Sequence, residues 1–367
     1  MGIDRKLLQS FEWYAPALGL MLALAGVVNL MSAASTDTDP ISPIALRQLA
    51  WLGLGLLGMI VVILPDYRRF DRAVPMIYIL GTIALIAVLV VGPIIKGAQR
   101  WVIFGPIRIQ PSEMFKLVVV ITFARLLARR QTTGYLAIHE FVLPALLLAA
   151  PIFLVLQQPD LGTTLLIVLC AGTYATVVPI QPRVIAILGA VGLVGAGLAW
   201  FFYLHDYQKE RIFVFLDPSR DPLGTAYHAI QSQIAIGSGG FAGKGWLNGS
   251  QTQLDFLPEQ QTDFVFSVVG EEWGFRGAAF VMVMYLLLMI RGLVIARQAK
   301  DLFGAYLAIG VVGMFFWAAT INMGMVLGIF PVVGVPLPLF SYGGSSLFTC
   351  MIGVGLLMNV SMRRFAF

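Results

Sequence analysis

Charge is what this chain has least of. Only 12% of its 367 residues are Asp, Glu, Lys or Arg, roughly half the share of a soluble globular domain, and the mean hydropathy is +0.86. That scarcity excludes a water-soluble enzyme and a disordered chain. Cysteine is nearly absent as well. Cys170 and Cys350 both lie in apolar runs without a second Cys or a His at ligand spacing, so no disulfide scaffold, redox pair or zinc site follows. His139, His205 and His228 are the three histidines, and none is paired at i, i+4, which argues against a histidine metal site. The net charge of +5 invites a nucleic-acid partner. The basic residues flank apolar segments instead of forming a block, however, so topology accounts for the charge and no nucleic acid is expected.

What is abundant is long apolar sequence. A ~30 Å hydrocarbon layer demands about 20 apolar residues of a helix. About ten such stretches are read, near 13–32, 46–64, 74–95, 111–128, 141–157, 161–179, 183–204, 264–290, 303–328 and 343–361. The expected fold is therefore all-α, a polytopic integral membrane protein forming one domain over 1–367. The first stretch follows Arg5 and Lys6 but exceeds the usual length of a signal-peptide core, so it reads as a retained helix. With ten spans both termini share a side. The positive-inside rule makes that side cytoplasmic, since Arg68, Arg69, Arg72, Arg129, Arg130, Arg291, Arg297, Arg363 and Arg364 fall in its short loops and tail. The long segment 205–262, between the seventh and eighth helices, is then external. No polar domain is left to bind ATP on the inside.

Two glycine patterns mislead. Gly53, Gly55 and Gly58 spell G-x-G-x-x-G, but inside an apolar span rather than between a strand and a helix, so close helix packing is expected there. Gly189, Gly192, Gly195 and Gly197 invite the same account. Gly239 to Gly245 resembles a phosphate loop, yet Ser238 stands where its first Gly belongs and Gly245 where Ser or Thr should follow Lys244.

A charge at bilayer depth costs from ~2.5 kcal/mol upward and is rarely kept without a partner or a task. Glu113 and Lys116 share a helix face and can neutralise each other. Glu272 and Arg276 repeat the logic at i, i+4, with Glu271 beside them. Asp160 follows Pro159 where a carboxylate suits a helix N-terminus. Asp263 lies where the long external loop meets the eighth helix, as a helix cap or as a reactive carboxylate at the water interface. The outer loops add Lys96, Arg100, Arg108, Lys209, Arg211 and Lys244 near Trp101, Tyr227 and Trp246. Cations beside interfacial aromatics suit a phosphorylated lipid head, or plain interfacial anchoring.

Several blocks are recognisable together. Lys96-Gly97-Ala98-Gln99-Arg100-Trp101, Ile109-Gln110-Pro111-Ser112-Glu113 and Gln158-Pro159-Asp160-Leu161-Gly162-Thr163 are followed by Phe256 to Phe264, Gly270-Glu271-Glu272-Trp273-Gly274 and Pro336 to Ser346. In this order they resemble the SEDS family of bacterial cell-shape and division proteins, over most of the chain from about 96 to 346. Gly243 to Gln253 and the short tails are closer to the rod-shape branch than to the division branch. Two departures stand out: Gln261 replaces the family's usual His before Thr-Asp, and Leu339-Phe340 replaces the commoner Phe-Ile. Gln can hydrogen-bond but not titrate, which removes a proton-shuttle role from that neighbour.

The resemblance implies an inner-membrane peptidoglycan glycosyltransferase acting on lipid II, an undecaprenyl-pyrophosphate-linked disaccharide. It also implies a class B penicillin-binding protein as partner, other elongation-complex membrane proteins nearby, and a divalent cation such as Mg²⁺ or Mn²⁺ with no nucleotide cofactor. The family's important acid maps onto Asp263, and other recurrent polar positions onto Arg100, Glu113, Lys116, Asp160 and Lys244. In that reading Asp263 is the general base, while Arg100, Lys116, Arg211 and Lys244 offset charge on the departing pyrophosphate. Two alternatives remain. A lipid II flippase would line a path with the embedded charges, and a non-catalytic scaffold would tolerate loss of Asp263.

Overall fold

The computed structural model describes residues 12–34, 42–95, 97–105, 107–130, 134–221, 224, 226–254, 256–257 and 259–364. Arg5, Lys6, Lys96 and Pro258 lie outside them.

In hydrocarbon every main-chain polar group must be satisfied within its own segment, so apolar sequence of this length becomes helix. Helices occupy each of the expected apolar stretches: α1 Tyr14–Ala33, α2 Pro43–Ile63, α3 Tyr67–Val91, α4 Pro111–Ala128, α5 Val142–Leu156, α6 Leu161–Gly172 and α7 Pro182–Phe202. The segment 205–262 carries α8 Asp206–Leu216, α9 Tyr227–Gly239 and the single turn α10 Ser250–Gln253. The chain then forms α11 Val265–Glu272, α12 Gly274–Gln298, α13 Leu302–Val326 and α14 Gly344–Met362. Among the described residues, 8 helical segments are long and apolar enough to cross a membrane. The other two expected spans correspond to α4, which carries Glu113, Lys116 and Arg125, and to the short apolar segment Leu161–Thr176 that contains α6.

Starts are set by local chemistry. Ser42, Asp66, Asp160 and Asp301 each cap a first turn with a side-chain oxygen, and Pro43, Pro111 and Pro182 sit where a helix needs no N–H. A two-stranded hairpin, β1 Val102–Phe104 with β2 Ile107–Ile109, was not legible in the sequence and delivers the chain to Gln110 and α4.

The centre of the bundle is α13 and α14. The first packs on α12 and α4, the second along α2, and most of their residues are buried. Gly55 and Gly58 are part of that α2 contact, because a Cβ at either would come within 3 Å of Met351 or Phe348. Gly53 meets open space. The glycines of α7 depart from expectation. Nothing lies within 4 Å of a Cβ at Gly189, Gly192, Gly195 or Gly197, and Val184 is the one buried residue of that helix. This helix stands at the rim, so its small residues face no neighbour.

A second difference is more consequential. The stretch expected as one helix over 264–290 is broken into α11 and α12 at Gly274, which has φ +64. A Cβ there would lie 2.9 Å from both the Ala242 carbonyl carbon and the Gly240 oxygen, so the loop at 240–243 presses directly on the break. Glu272 and Arg276 therefore do not pair. Ser32 donates to Glu272, while Arg276 stacks 5.8 Å over Phe241 and reaches the Ala242 carbonyl at 3.4 Å.

Candidate active site

Four expected site residues are brought together at the loop-bearing end of the bundle. Asp160 caps α6, accepting from the Thr163 N–H at 3.1 Å and the Thr163 hydroxyl at 2.9 Å. Gln110, just before α4, donates to the same carboxylate at 2.8 Å, and its own N–H donates to Ser345 Oγ at 2.9 Å. Arg100 stands 3.9 Å away. Burial pushes the Asp160 carboxyl above its ordinary range even against Arg100 and the Thr163 hydrogen bonds.

Asp263 is not a helix cap. The first turn of α11 begins at Val265, with Phe264 in the capping position and no side chain closing it. What is fixed instead is the main chain. Asn322 donates to the Asp263 carbonyl at 2.8 Å and to the Val335 carbonyl at 2.7 Å. Ser341 donates to the Thr262 carbonyl at 2.6 Å while accepting from the Leu337 N–H at 2.8 Å, and the Tyr342 N–H donates to the Gln261 carbonyl at 2.9 Å. Three consecutive residues, 261–263, are thus tied to the segment 335–342 and to α13, which leaves the Asp263 side chain free for chemistry.

The glycines explain how closely these pieces approach. Gly334, at φ +74, lies under the carboxylate, where a Cβ would come 3.4 Å from Asp263 Oδ2. At Gly162 a Cβ would stand 2.6 Å from the Val333 carbonyl. The cap of α6 and the Asp263 loop therefore share the segment 333–335 as a common wall. Arg211, on α8, joins the same wall by donating to the Val332 carbonyl at 3.2 Å.

Burial is the main influence on the Asp263 carboxyl and pushes it from its ordinary 3.8 up to about 6. The Glu259 carboxylate adds to the rise, Arg211 and Arg100 oppose it, and Asp160 adds a smaller push. All four thus act on one acid. Glu259 itself is exposed, takes a left-handed φ of +56 and accepts from Thr262 Oγ1 at 3.1 Å.

The remaining expected residues are placed differently. Lys116 and Glu113 form a closed, buried pair at 2.8 Å within α4, as their spacing predicted. Lys244 is not brought into the cluster. It binds Glu271 at 2.7 Å, and Glu271 also accepts from the Gln251 N–H at 2.9 Å, the Thr252 N–H at 3.1 Å and the Thr252 hydroxyl at 2.9 Å. Eight residues of mostly helical rise put Glu271 about 12 Å along α11 from Asp263. Asn322, Gly334, Gln110 and Glu259 were not singled out by sequence reasoning. The Asn322 signal was there to find, as an amide inside an otherwise apolar span.

A bundle of apolar helices with an acid and two arginines at one end defines a multi-pass membrane protein with a polar site at the loop-bearing end of its bundle. The comparisons with known proteins give the family. A model described as the cell cycle protein family of FtsW, RodA and SpoVE matches residues 12–365, and the chain belongs to that family, which is the SEDS family. It is 44% identical over 326 residues to the peptidoglycan glycosyltransferase MrdB of Escherichia coli, covering 87% of this chain and 85% of that one. It is 34% identical to the peptidoglycan glycosyltransferase RodA of Treponema pallidum, covering 94% and 96%. Among solved structures it matches a chain from work on the coordination of polymerization and crosslinking by a peptidoglycan synthase complex, with TM-score 0.81 and 33% identity over 97% and 99% of the two chains. The rod shape determining protein RodA of Thermus thermophilus matches with TM-score 0.71 and 29% identity, covering 97% and 98%. A multi-pass inner-membrane location follows from the family and the apolar helices.

Proposed function

We infer that this chain is a peptidoglycan glycosyltransferase, and we propose that it polymerises lipid II with Asp263 as its general base. The observation that carries the proposal is an acid with its main chain immobilised, its carboxyl raised to about 6, and Arg211 and Arg100 acting on it. A carboxylate of this kind is still mostly ionised at neutral pH, and it is a stronger base than an ordinary aspartate.

In the reaction a sugar hydroxyl attacks the anomeric carbon of a second, lipid-linked sugar. The new glycosidic C–O bond forms, the bond from that carbon to the diphosphate oxygen breaks, and the diphosphate departs with the electron pair. Asp263 takes the hydroxyl proton as the bond forms, a contribution of about 10² to 10⁴ in rate. Arg100 and Arg211 stabilise the charge growing on the diphosphate, more strongly in a partly desolvated cleft than in bulk water. Asn322 and Ser341 hold the base still. The diphosphate linkage supplies the driving force.

Among the described residues no three His, Cys, Asp or Glu side chains converge as a ligand set. The exposed carboxylate of Glu259 suits a hard divalent cation such as Mg²⁺ or Mn²⁺, which is commonly held by one or two carboxylates together with substrate phosphates and water. When bound, it would neutralise diphosphate charge.

In this reading the partner is a class B penicillin-binding protein that crosslinks the strands, which the likeness to the polymerization and crosslinking complex supports. A transport path through the bundle is less favoured. The embedded Glu113 and Lys116 close on each other, and Glu272 and Arg276 are turned to separate partners.

The decisive test is Asp263→Asn, assayed with purified lipid II and the crosslinking partner. Loss of glycan polymer with the protein still folded in the membrane is the expected result. Polymerisation at the wild-type rate would refute the base assignment.

A further inference from the structure

Gln48 is an amide inside an apolar span. It lies on the face of α2 that also buries Ala45, Leu52, Gly55 and Met59, and only 1% of it is exposed. An amide at that depth is costly unless its polar atoms are paired. Both ends of this one are. Its Nε2 donates to the Ser341 carbonyl at 2.9 Å, and its Oε1 accepts from the Gly343 N–H at 3.3 Å. Trp51, one turn further along α2, closes on Gly344, where a Cβ would overlap the indole.

The polar groups of residues 341–343 divide between two neighbours. The Ser341 carbonyl and the Gly343 N–H go to Gln48, while the Ser341 hydroxyl and the Tyr342 N–H go to the Thr262 and Gln261 carbonyls. This short segment therefore stands between α2 and the loop that carries Asp263, and two of the three bonds that fix 261–263 pass through it. The preceding part of the segment is fastened by other means. Asn322 donates to the Val335 carbonyl and Tyr285 to the Pro338 carbonyl, and Phe340 packs so closely on Gly26 that a Cβ there would overlap its carbonyl. Gln48 thus adds its hold at the residues that lead to the acid. It is itself held from below, because α2 and α14 meet closely at Gly55 and Gly355.

We propose that Gln48 is a positioning residue for polymerisation, acting through residues 341–343 to hold the Asp263 loop in the geometry that proton transfer needs. The inference rests on the reading of Asp263 as the base and deepens it. Gln48 touches the main chain of the segment, and its effect on the acid passes through Ser341 and Tyr342. An apolar side chain of the same length would leave the Ser341 carbonyl and the Gly343 N–H without that partner, and the segment would shift to find others. A misplacement of about 1 Å in a reacting group costs on the order of 10² in rate.

The test is Gln48→Met in the full chain, assayed in nanodiscs with purified lipid II and the crosslinking partner, with kcat expressed per folded molecule. It should lower kcat about 10- to 10²-fold and leave KM for lipid II little changed, and amide hydrogen exchange across 341–343 should quicken. Gln48→Asn keeps an amide that is one methylene short, so it can retain one of the two bonds and should recover part of the lost rate. This milder variant carries the same comparison if Gln48→Met does not fold. A lower melting temperature with kcat unchanged would make Gln48 merely structural and overturn the proposal. So would a raised KM with kcat kept, or a fall in kcat without faster exchange at 341–343. The exchange readout is repeated in the Asp263→Asn protein, where Gln48→Met should quicken it equally. That result is independent of which group is the base, whereas wild-type activity of Asp263→Asn alone would refute the base and not the contact.

Discussion

Asp263 and Glu271 sit near opposite ends of one short helix, and they have been built for opposite purposes. Glu271 is fully buried and saturated: Lys244, the Gln251 and Thr252 N–H groups and the Thr252 hydroxyl converge on its two oxygens. Asp263 is half-buried, and its main chain receives the hydrogen bonds while its carboxylate is governed by burial and surrounding charge. The first arrangement fastens the long loop to the bundle. The second leaves a carboxylate open, as the proposed base requires. An acid with a cation near it is common to both, so it is the saturation of the oxygens that distinguishes them.

The largest expected effect lies in contrasting readouts. Asp263→Asn should lower polymerisation by about 10² to 10⁴ and leave the fold slightly more stable. The carboxyl is raised in the folded state, so its contribution to stability is complete below pH 3.8 and is lost as pH rises through about 6. At neutral pH its removal is therefore a gain, on the order of 1 kcal/mol. A Glu271→Ala variant should do the reverse, losing about 2 kcal/mol by leaving the Gln251 and Thr252 donors without their acceptor while each folded molecule keeps a rate within about tenfold of wild type. If Glu271→Ala is folded and inactive, the division between clamp and base is wrong.

The buried Glu113 and Lys116 pair extends the contrast. Lys116→Ala should cost about 3 kcal/mol in detergent melting, because Glu113 is then buried without its cation. Restoration of the melting temperature by the double change Glu113→Gln with Lys116→Met would mark the pair as structural. A smaller effect is the pH profile. The rate should rise through pH 6 and differ about tenfold between pH 5 and pH 7, because the ionised form of Asp263 is the active one. A flat profile across that range argues against this base. Smallest is Gly334→Ala, where the left-handed backbone and the 3.4 Å approach to Asp263 Oδ2 apply together. A loss of about 1 kcal/mol with a fall in kcat and little change in KM is expected.

Much of this molecule was legible before any coordinates. Apolar length places the helices, because hydrocarbon leaves the main chain no other partner, and proline and side-chain caps place many of their starts. The Glu113 and Lys116 pair is local, three residues apart on one helix, so spacing alone finds it. The order of the blocks from Arg100 to Ser346 carried the family and named Asp263.

Other features depend on parts of the chain far apart in sequence. The break at Gly274 arises because the loop at 240–243 presses on it, and nothing in the residues 264–290 announces a neighbour that close. Glu272 and Arg276 read as a pair until that break turns them apart. Lys244, a candidate substrate cation, is held by Glu271, a partner its own neighbours in sequence do not announce. Asn322 reaches Asp263 and Val335 across two helices and a loop. Sequence determines what one helix does with its own hydrogen bonds, since those partners are at most a turn away. Which acid is satisfied and which is left open depends on groups delivered by other elements, and only their packing decides it.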